Sequence, residues 1–316
     1  MFTRLSLPTP FQVGPVNAYI AGRTVVDPGP ESEEAWAALV DALEARDLTT
    51  GDVEQVVITH PHPDHFGSAS RLRDAGASVV ASPTAAEIMA DFAARLDYEQ
   101  SFFDEFFQHC GMADSTAETT TDLPQVFLHY APDVETDRRV ADGDPLEVAG
   151  RTLSAVAVEG HAPGELLFAF DDDGNRTALV GDHVLPDHTP NPFLQPPPEP
   201  GGERPHVVPR YNRSLDRLAD DDYDRFLPGH GEPIADPAGR IGEIRDAHER
   251  RTDEVRSIVD GPTTPVEVME ELFGDLPVTE YFSGISEAVG HLDVLLDRGH
   301  VTVTKRGGLL VYEPAE

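Results

Sequence analysis

Short apolar runs that end in turn-forming residues dominate the first two thirds of the chain. They have the length and the β-branched content of buried strands. The runs are TVVDPGP (24–30), VEQVVITH (53–60), ASVVAS (77–82), LSAVAVEGH (153–161), TALVGDH (177–183) and DRFLPGH (224–230). Helical patterns lie between several of them, as at residues 33–47, where apolar side chains recur on one face. Strands that alternate with helices predict an α/β fold.

Two segments interrupt this alternation. Residues 84–109 have a helical pattern that carries four phenylalanines, at Phe102, Phe103, Phe106 and Phe107. We expect at least two of them to pack in the core, and any that face a cleft would form an apolar wall suited to an acyl chain. Residues 186–212 are too rich in proline and glycine for regular structure. A loop of this length is usually functional or disordered.

The pattern changes after about residue 235. Three helical segments and a pair of strands around a Gly-Gly turn follow: residues 236–259, 264–274, 283–299 and 300–313. Helices followed by a terminal hairpin are the outline of a winged helix. We therefore predict two domains, at residues 1–235 and 236–316.

The charge balance is strongly acidic, with 58 Asp and Glu against 23 Lys and Arg and a formal net charge of −35. The acidic residues are dispersed along the chain, and Lys305 is its only lysine. This composition resembles that of proteins from salt-loving archaea, where salt screens the self-repulsion. An acidic tail that recruits a partner would instead form one block of charge. We therefore predict a halophilic protein, whose net charge says little about its substrate.

The single cysteine, Cys110, cannot form an internal disulfide. Its aromatic neighbours favour a buried structural thiol over a nucleophile. The N-terminal segment has no continuous apolar stretch, and no segment reaches the length needed to span a bilayer. We therefore expect a cytoplasmic protein without a membrane partner.

Residues that commonly bind metals follow the predicted strands. Seven of them stand after four of the runs: His60, His62, Asp64, His65, His161, Asp182 and His230. Asp27 follows a fifth run. If these strands are neighbours, all of the side chains converge at one rim of the sheet.

Neutral imidazoles and carboxylates are suitable ligands for zinc and similar divalent metals. One ion could be held by His60, His62 and His161 and a second by Asp64, His65 and His230, with Asp182 as the bridge. Two ions about 3.5–4 Å apart would lower the pKa of a shared water from about 16 towards about 7, which makes hydroxide the nucleophile. We assign catalytic roles to Asp64 and Asp182. We expect two divalent ions, zinc in the first place, with iron or manganese as alternatives.

Each histidine taken alone has a simpler explanation, as a surface residue or a hydrogen-bonded core group. That explanation is favoured for His248 and His300, which stand apart from these motifs. The THPHPDH cluster by itself leaves both interpretations open. Because His161, Asp182 and His230 also each end a buried run beside a glycine, the joint pattern favours a metal site.

The motifs VVDPGP, THPHPDH, EGHAPGE, VGDHVL and LPGHGEP resemble, in this order, those of the metallo-β-lactamase superfamily. The resemblance covers about residues 6–235. It implies a four-layer αββα sandwich with a binuclear site at one edge, the ligand sets given above, and Asp27 as a support for the histidine loop.

Within that superfamily, the trailing winged helix and the segment TPFQVGPVNAYI are similar to a subgroup related to glyoxalase II and β-lactamase-like protein 2. The winged helix stands where a glyoxalase II would carry its glutathione contacts, which argues against glutathione thioesters. His62 stands where flavodiiron proteins have a glutamate, which argues against an oxygen-reducing site.

Two reaction classes remain open at this point. The first is hydrolysis of a small ester, thioester or lactone by hydroxide attack on the carbonyl. The second is a phosphodiesterase or ribonuclease acting on single-stranded RNA, since winged helices often bind nucleic acid. The candidate recognition helix carries more acidic than basic residues, whereas nucleic-acid surfaces need clustered Lys or Arg. We therefore favour a small-molecule acyl substrate and leave nucleic acid and homodimerisation open.

The Pro-rich segment begins four residues after Asp182, so we expect it to flank the metal rim. Its candidate polar contacts with a substrate are His188, Asn191, Arg210 and Tyr211. An ordinary loop role is the simpler explanation for each of them.

Overall fold

The computed structural model describes residues 2–190 and 192–315. The chain forms two compact units, each assembled from three separate segments. Unit 1 consists of Met1–Ala93, Val126–Pro190 and Leu218–Ile241, and unit 2 of Ala94–Gln125, Asn191–Arg217 and Gly242–Glu316. The predicted domains, residues 1–235 and 236–316, place the segments Ala94–Gln125 and Asn191–Arg217 in the first domain, whereas these segments belong to unit 2. The predicted division stays a prediction.

Unit 1 contains two mixed sheets. The strands of the six-stranded sheet, in spatial order, are β1 (Thr3–Leu7), β2 (Val16–Ala21), β3 (Thr24–Val26), β4 (Gln55–Val57), β5 (Ser78–Ala81) and β6 (Arg138–Arg139). The pairs between β1 and β3 are antiparallel, and those between β3 and β6 are parallel. The parallel part requires crossover connections, which explains why helices separate these strands in the sequence.

The five-stranded sheet contains β7 (Pro145–Val148), β8 (Arg151–Ala157), β9 (Leu166–Asp172), β10 (Asn175–Gly181) and β11 (Arg225–Pro228). Its spatial order is β11-β10-β9-β8-β7. Only the β10–β11 pair is parallel. The carboxyl ends of β10 and β11 therefore lie side by side, which is what brings the residues after them together.

Four helices lie wholly within unit 1: α1 (Glu33–Glu44), α2 (Pro63–Phe66), α3 (Ala69–Asp74) and α4 (Pro83–Ala90). In the six-stranded sheet, Val26, Val57 and Val80 pack in one core with Phe168 of the other sheet. The alternate residues of β4 and β5 are buried as well, and α3 contacts both strands. Burial on both faces explains why these strands are continuous apolar runs without alternation.

Six helices and a hairpin lie wholly or mainly in unit 2. They are α5 (Phe92–His109), α6 (Asp114–Asp122), α7 (Val207–Ala219), α8 (Pro237–Ile258), α9 (Pro265–Phe273), α10 (Tyr281–Asp297), β12 (Val301–Arg306) and β13 (Leu309–Pro314). The last two strands pair in antiparallel fashion around Gly307 and Gly308, as predicted. The order of α9, α10 and the hairpin agrees with the predicted outline, while the winged-helix assignment itself stays a prediction. No helix in the described part of the chain is long and apolar enough to cross a membrane.

Aromatic residues of α5 fill the core of unit 2. Phe103 and Phe107 are 1% and 0% exposed and pack with Cys110, whereas Phe102 and Phe106 are partly buried against the same cluster. The prediction that at least two of the four phenylalanines serve packing is therefore confirmed. Burial raises the pKa of the Cys110 thiol, as expected of a structural cysteine rather than a nucleophile.

The Pro-rich segment is more ordered than its composition predicts. Helix α7 begins at Val207, so the prediction of irregular structure is wrong for the last residues of 186–212. Pro209 conceals this helix in the sequence, but proline is tolerated in a first helical turn. Just before α7, Arg204 donates hydrogen bonds of 2.8 and 2.7 Å to the two carboxylate oxygens of the buried Asp293. This ion pair fixes the end of the segment within unit 2.

Candidate metal centre

All seven predicted ligands lie in unit 1 and come together at one place. They follow four strands, β4, β8, β10 and β11. The first of these strands belongs to the six-stranded sheet and the other three to the five-stranded sheet. The expectation of a rim on a single sheet is therefore wrong. The side chains converge instead where the ends of two facing sheets meet.

The THPHPDH segment changes conformation in its middle. His62 is the residue before α2 and has an extended backbone, and Pro63 occupies the first position of the helix. The fixed φ of proline suits a first helical turn. His60 and His62 therefore precede the helix, while Asp64 and His65 lie on it, and one short segment supplies side chains to two ligand groups.

Three groups of donor atoms form within the cluster, each with its atoms within 4.8 Å of one another. The groups are His60, His62 and His161; His60, His65 and Asp182; and Asp64, His65 and His230. The first and third coincide with the two ligand sets assigned from the sequence. We call them the His62 group and the His230 group. All seven side chains are buried except that of His62, which is half-buried.

Asp182 lies between the two ligand groups. Its Oδ1 is 3.4 Å from His65 Nε2, and its Oδ2 is 3.3 Å from His230 Nε2 and 3.8 Å from His161 Nε2. One carboxylate therefore faces histidines of both groups, as a bridging ligand must. The bridging role itself stays a prediction.

The ring nitrogens of the cluster fit divalent cations. The buried His65 Nε2 and His230 Nε2 face the carboxylates of Asp64 and Asp182 at 3.3–3.8 Å, whereas the buried His60 Nε2 has no hydrogen-bond partner among the described residues. Leaving such a group unsatisfied costs about 1–3 kcal/mol, so a ligand is the expected compensation. In the His62 group, His161 Nε2 is 3.1 Å from His62 Nδ1. Imidazoles that share a tetrahedral zinc ion place their nitrogens roughly 3.3 Å apart, given Zn–N bonds of about 2.0–2.1 Å.

The two ligand groups differ in protonation. Burial, reinforced by His65, holds the pKa of His60 well below its ordinary value, and burial with His62 lowers the pKa of His161 to about 3. In the His230 group, burial alone would lower the pKa of His230, but the Asp182 carboxylate outweighs it and raises this pKa to about 9. The His62 group is thus neutral and ready for a cation at neutral pH, whereas His230 must first lose a proton.

Asp182 and His65 stabilise each other's charge. Burial alone would raise the pKa of Asp182, yet His65 and His230 hold it well below its usual range. Burial likewise opposes protonation of His65, but Asp182 and Asp64 raise its pKa well above the ordinary value. Asp182 is therefore ionised at neutral pH, as a metal-bridging carboxylate must be.

Asp27 lies behind the histidines. Its carboxylate accepts hydrogen bonds from the backbone N–H and the hydroxyl of Thr59, at 2.9 and 2.7 Å, and from His65 Nδ1 at 3.0 Å. Its backbone has a φ of 50°, in the left-handed region that non-glycine residues seldom adopt. Such conformations cluster at functional sites, which agrees with the supporting role that the resemblance implies.

Further residues support the backbone and side chains of the candidate centre, and they were not predicted from the sequence. Asn17 Nδ2 donates to the carbonyl oxygens of Pro228 and Gly231 at 2.9 and 2.8 Å, which fixes the backbone on both sides of His230. The fully buried Glu165 accepts a 2.9 Å hydrogen bond from His183, next to Asp182. Asn17 stands inside the segment TPFQVGPVNAYI, but its contacts on both sides of His230 join residues more than two hundred positions apart and could not be predicted. Glu165 and His183 stand inside the motifs and could have been noticed there.

The candidate substrate contacts of the Pro-rich segment are divided between the two units. His188 is exposed in unit 1, and Asn191 lies outside the described residues. Arg210 and Tyr211 lie on α7 in unit 2, where Tyr211 is fully buried. Tyr211 is therefore a core residue, in line with its simpler explanation.

Gly229 is required by close approach of the backbone to the ligands. A Cβ at this position would overlap Asp182 Oδ1 and lie 2.7 Å from His65 Cε1. We expect Gly229→Ala to displace these side chains and weaken zinc binding by at least about tenfold, the scale seen when groups around a metal are disturbed. Competition with a chromogenic chelator measures this affinity.

Gly242→Ala is the matched control for that variant. Gly242 lies in α8, and an added Cβ would have no heavy atom within 4 Å. This change should leave zinc binding intact and stabilise the helix by about 0.5–1 kcal/mol. Unchanged zinc affinity in Gly229→Ala would contradict the close packing described above.

Comparison with known proteins agrees with this fold. The model of the metallo-beta-lactamase superfamily matches residues 12–230, a stretch that includes all seven candidate ligands. "Probable metallo-hydrolase YqjP" of Bacillus subtilis is 30% identical over 98% of this chain and 96% of its own. "Beta-lactamase-like protein 2 homolog" of Drosophila melanogaster is 22% identical over 94% of this chain and 88% of its own.

A solved structure resembles the whole chain. It is a metallo-beta-lactamase family protein from Thermus thermophilus, with a TM-score of 0.81 and 26% identity. The match covers 99% of this chain and 98% of that one. The predicted α/β sandwich is thereby confirmed. The chain belongs to the metallo-beta-lactamase superfamily.

Proposed function

We propose that this protein is a hydrolase that holds two divalent cations in the centre and cleaves a small ester, thioester or lactone. The observation that carries the proposal is the convergence of buried imidazole nitrogens and two carboxylates from four separate segments. Such a donor set suits zinc, and also iron or manganese. The superfamily membership supports the same reaction type.

Cations held there would lower the pKa of a bound water towards about 7 and polarise the carbonyl of the substrate. The protein's own residues keep their charges fixed for this task. His60 and His161 are neutral donors, and Asp182 is a permanent anion between the two ligand groups. Asp64, whose pKa His65 and His230 lower against the effect of burial, is ionised, and we assign it as the acceptor of the proton from the attacking water.

An aromatic cluster in unit 1 supports an acyl substrate. The ring of Phe11 is 5.3 Å from that of Phe127 and 5.4 Å from that of Tyr130. Val13 and Val126, which are close to Phe11 and Phe127 in sequence, are 39% and 63% exposed. We call these five residues the aromatic rim. An exposed apolar cluster of this kind suits the hydrocarbon part of an ester or thioester.

The aromatic rim is connected to the metal centre through the backbone. The segment that contains Phe11 and Val13 continues into Pro15. The carbonyl oxygen of Pro15 accepts a 2.8 Å hydrogen bond from His230 Nδ1. The segment that contains Val126 and Phe127 continues to Tyr130. The carbonyl oxygen of Tyr130 accepts a 3.1 Å hydrogen bond from the backbone N–H of Glu31 and lies against Gly67, which is two residues after His65. A substrate whose carbonyl reaches the centre could therefore lay its acyl chain on the rim.

Basic residues near the C-terminus do not favour RNA. Arg251 pairs with Glu254 and Glu287, Arg298 with Glu249, and Arg306 with Glu313. A nucleic-acid surface needs clustered cations that are available to phosphates. This pairing favours the carbonyl substrate over the phosphodiesterase alternative.

The test combines metal analysis with a turnover panel, both in high salt. The panel contains acyl thioesters of several chain lengths, a lactone, a bis-phosphodiester and single-stranded RNA. We expect about two metals per chain and turnover of the carbonyl substrates. Turnover confined to the phosphodiester or to RNA would replace the proposal with the nuclease alternative. A protein that takes up no metal would refute both.

Phe127→Ala tests the role of the aromatic rim. Phe127 is 37% exposed, so its loss should leave the fold intact. We expect kcat/KM for a long-chain thioester to fall about tenfold, because roughly 1–1.5 kcal/mol of apolar contact is lost. Turnover of an acetyl thioester and the metal content should stay unchanged.

Leu309→Ala is the matched control, since Leu309 is equally exposed, at 38%, but lies on β13 in unit 2. It should not alter the dependence on chain length. An equal effect of Phe127→Ala on short and long thioesters would argue against acyl binding at the rim.

A further inference from the structure

Thr59 lies directly before His60, two residues after the end of β4, and is 2% exposed. Its backbone N–H donates to Asp27 Oδ1 at 2.9 Å, and its hydroxyl donates to Asp27 Oδ2 at 2.7 Å. The two bonds tie Thr59 to both oxygens of one carboxylate. The orientation of the hydroxyl is therefore fixed, because its single proton is directed at Asp27.

The fixed hydroxyl determines which nitrogen of His60 carries the proton. His60 Nδ1 is 3.0 Å from Thr59 Oγ1. Since the hydroxyl proton is given to Asp27, Oγ1 can only accept here, and His60 Nδ1 must be the donor. His60 Nε2 then carries the lone pair. This nitrogen is buried without a hydrogen-bond partner among the described residues and belongs to the candidate donor set.

Asp27 also orients a histidine of the other ligand group. His65 Nδ1 donates to Asp27 Oδ2 at 3.0 Å, which leaves His65 Nε2 to the cluster. One carboxylate thus positions His65 by a direct hydrogen bond and His60 through the hydroxyl of Thr59. His60 belongs to the His62 group and to the group that it forms with His65 and Asp182, but not to the His230 group, which contains His65.

We propose that Thr59 is a positioning residue that serves the His62 group selectively, whereas Asp27 serves both groups. This inference rests on the proposed binding of two cations. Removing the hydroxyl leaves His60 Nδ1 without its acceptor, so the ring is free to rotate or to change tautomer. Loss of such a supporting hydrogen bond typically weakens metal affinity by about 10–100-fold. The carboxylate remains in place for His65, so the cation of the His230 group should be retained.

The experiment measures zinc affinity in variants that keep one ligand group at a time. In a His230→Gln background, which disables the His230 group, Thr59→Val should weaken the remaining zinc by about 10–100-fold. In a His62→Gln background, Thr59→Val should change the remaining affinity by less than about threefold. Asp27→Asn should weaken zinc in both backgrounds. The absorption spectrum of the cobalt-loaded protein should change only where zinc affinity falls.

Two further variants separate positioning from general damage to the core. Thr59→Ser keeps the hydroxyl and should restore zinc affinity to near that of the unmodified chain. Thr177→Val is the matched control, because Thr177 is also 2% exposed in unit 1 but bonds the carbonyl oxygen of Asn175 at 3.3 Å. It should leave both affinities unchanged. Equal weakening in the two backgrounds, or none in either, would overturn the inference.

The tautomer of His60 can be measured in the unmodified chain, without any variant. Long-range nitrogen–proton NMR correlations of the metal-free protein should show the proton on Nδ1. A proton on Nε2 would overturn the inference even if no Thr59 variant folds. Failure of the unmodified chain to bind zinc would instead remove the proposed function. Two bound cations with no selective effect of Thr59 would remove only this inference.

Discussion

Replacing Asp182 with asparagine should abolish nearly all turnover, by about three orders of magnitude or more. Asparagine keeps the shape of the side chain but removes the negative charge that faces His65, His161 and His230. Without that charge, two dications would be held by Asp64 as the one remaining carboxylate of the donor set. We therefore expect Asp182→Asn to bind about one metal per chain, as measured by elemental analysis after dialysis.

Asp222→Asn is the matched control, since Asp222 lies near the surface of unit 1 and belongs to none of the donor groups. It should keep both metals and full turnover. An Asp182→Asn protein that retained two metals and normal activity would refute the bridging role.

Acidification should remove the two cations at different pH values. In the metal-free protein, the pKa of His230 is raised to about 9 and that of His65 well above its usual value, so cations of the His230 group compete with protons below about pH 9. The pKa values of His60 and His161 lie below neutrality, with that of His161 at about 3. The affinity of the His230 group should therefore fall by about tenfold per pH unit for each proton displaced, while that of the His62 group stays nearly constant.

Equilibrium dialysis against buffered free zinc between pH 8 and pH 6 measures this difference. At a fixed free zinc concentration that just saturates the protein at pH 8, we expect the stoichiometry to fall from about two to about one. His62→Gln, which disables the pH-insensitive group, should leave a single cation with the steep dependence. Simultaneous loss of both cations would contradict the assigned protonation states.

The candidate ligands could be identified from the sequence because they follow recognisable strands. The runs that end near His60, Asp182 and His230 are strands in the structure, and their apolar content identified them without further information. Two of the three donor groups in the structure match the predicted ligand sets, since residues one to five positions apart in THPHPDH are necessarily close in space. Most residues of the candidate centre could therefore be identified from local sequence alone.

Long-range arrangement could not be predicted in the same way. That β4 and β10 belong to different sheets depends on pairing between distant segments, for which a single sequence gives no signal. The same holds for Pro15 and Asn17, which support His230 from more than two hundred residues away. Helix α7 was missed for a local reason, because Pro209 in its first turn resembles part of a proline-rich loop.

The segmented build of unit 1 bears on how the protein is made in the cell. Its third segment, Leu218–Ile241, contributes both β11 and His230. A ribosome that has translated His60 to Asp182 has therefore produced six of the seven ligands but not the strand that carries the last one. During synthesis, domains fold as their segments emerge, beginning from the N-terminus. The residues of the His62 group are complete once His161 has been translated, whereas those of the His230 group are complete only after more than two thirds of the chain has been made. If the protein holds the two cations proposed above, we therefore expect the His62 group to be the first that can bind one during biosynthesis.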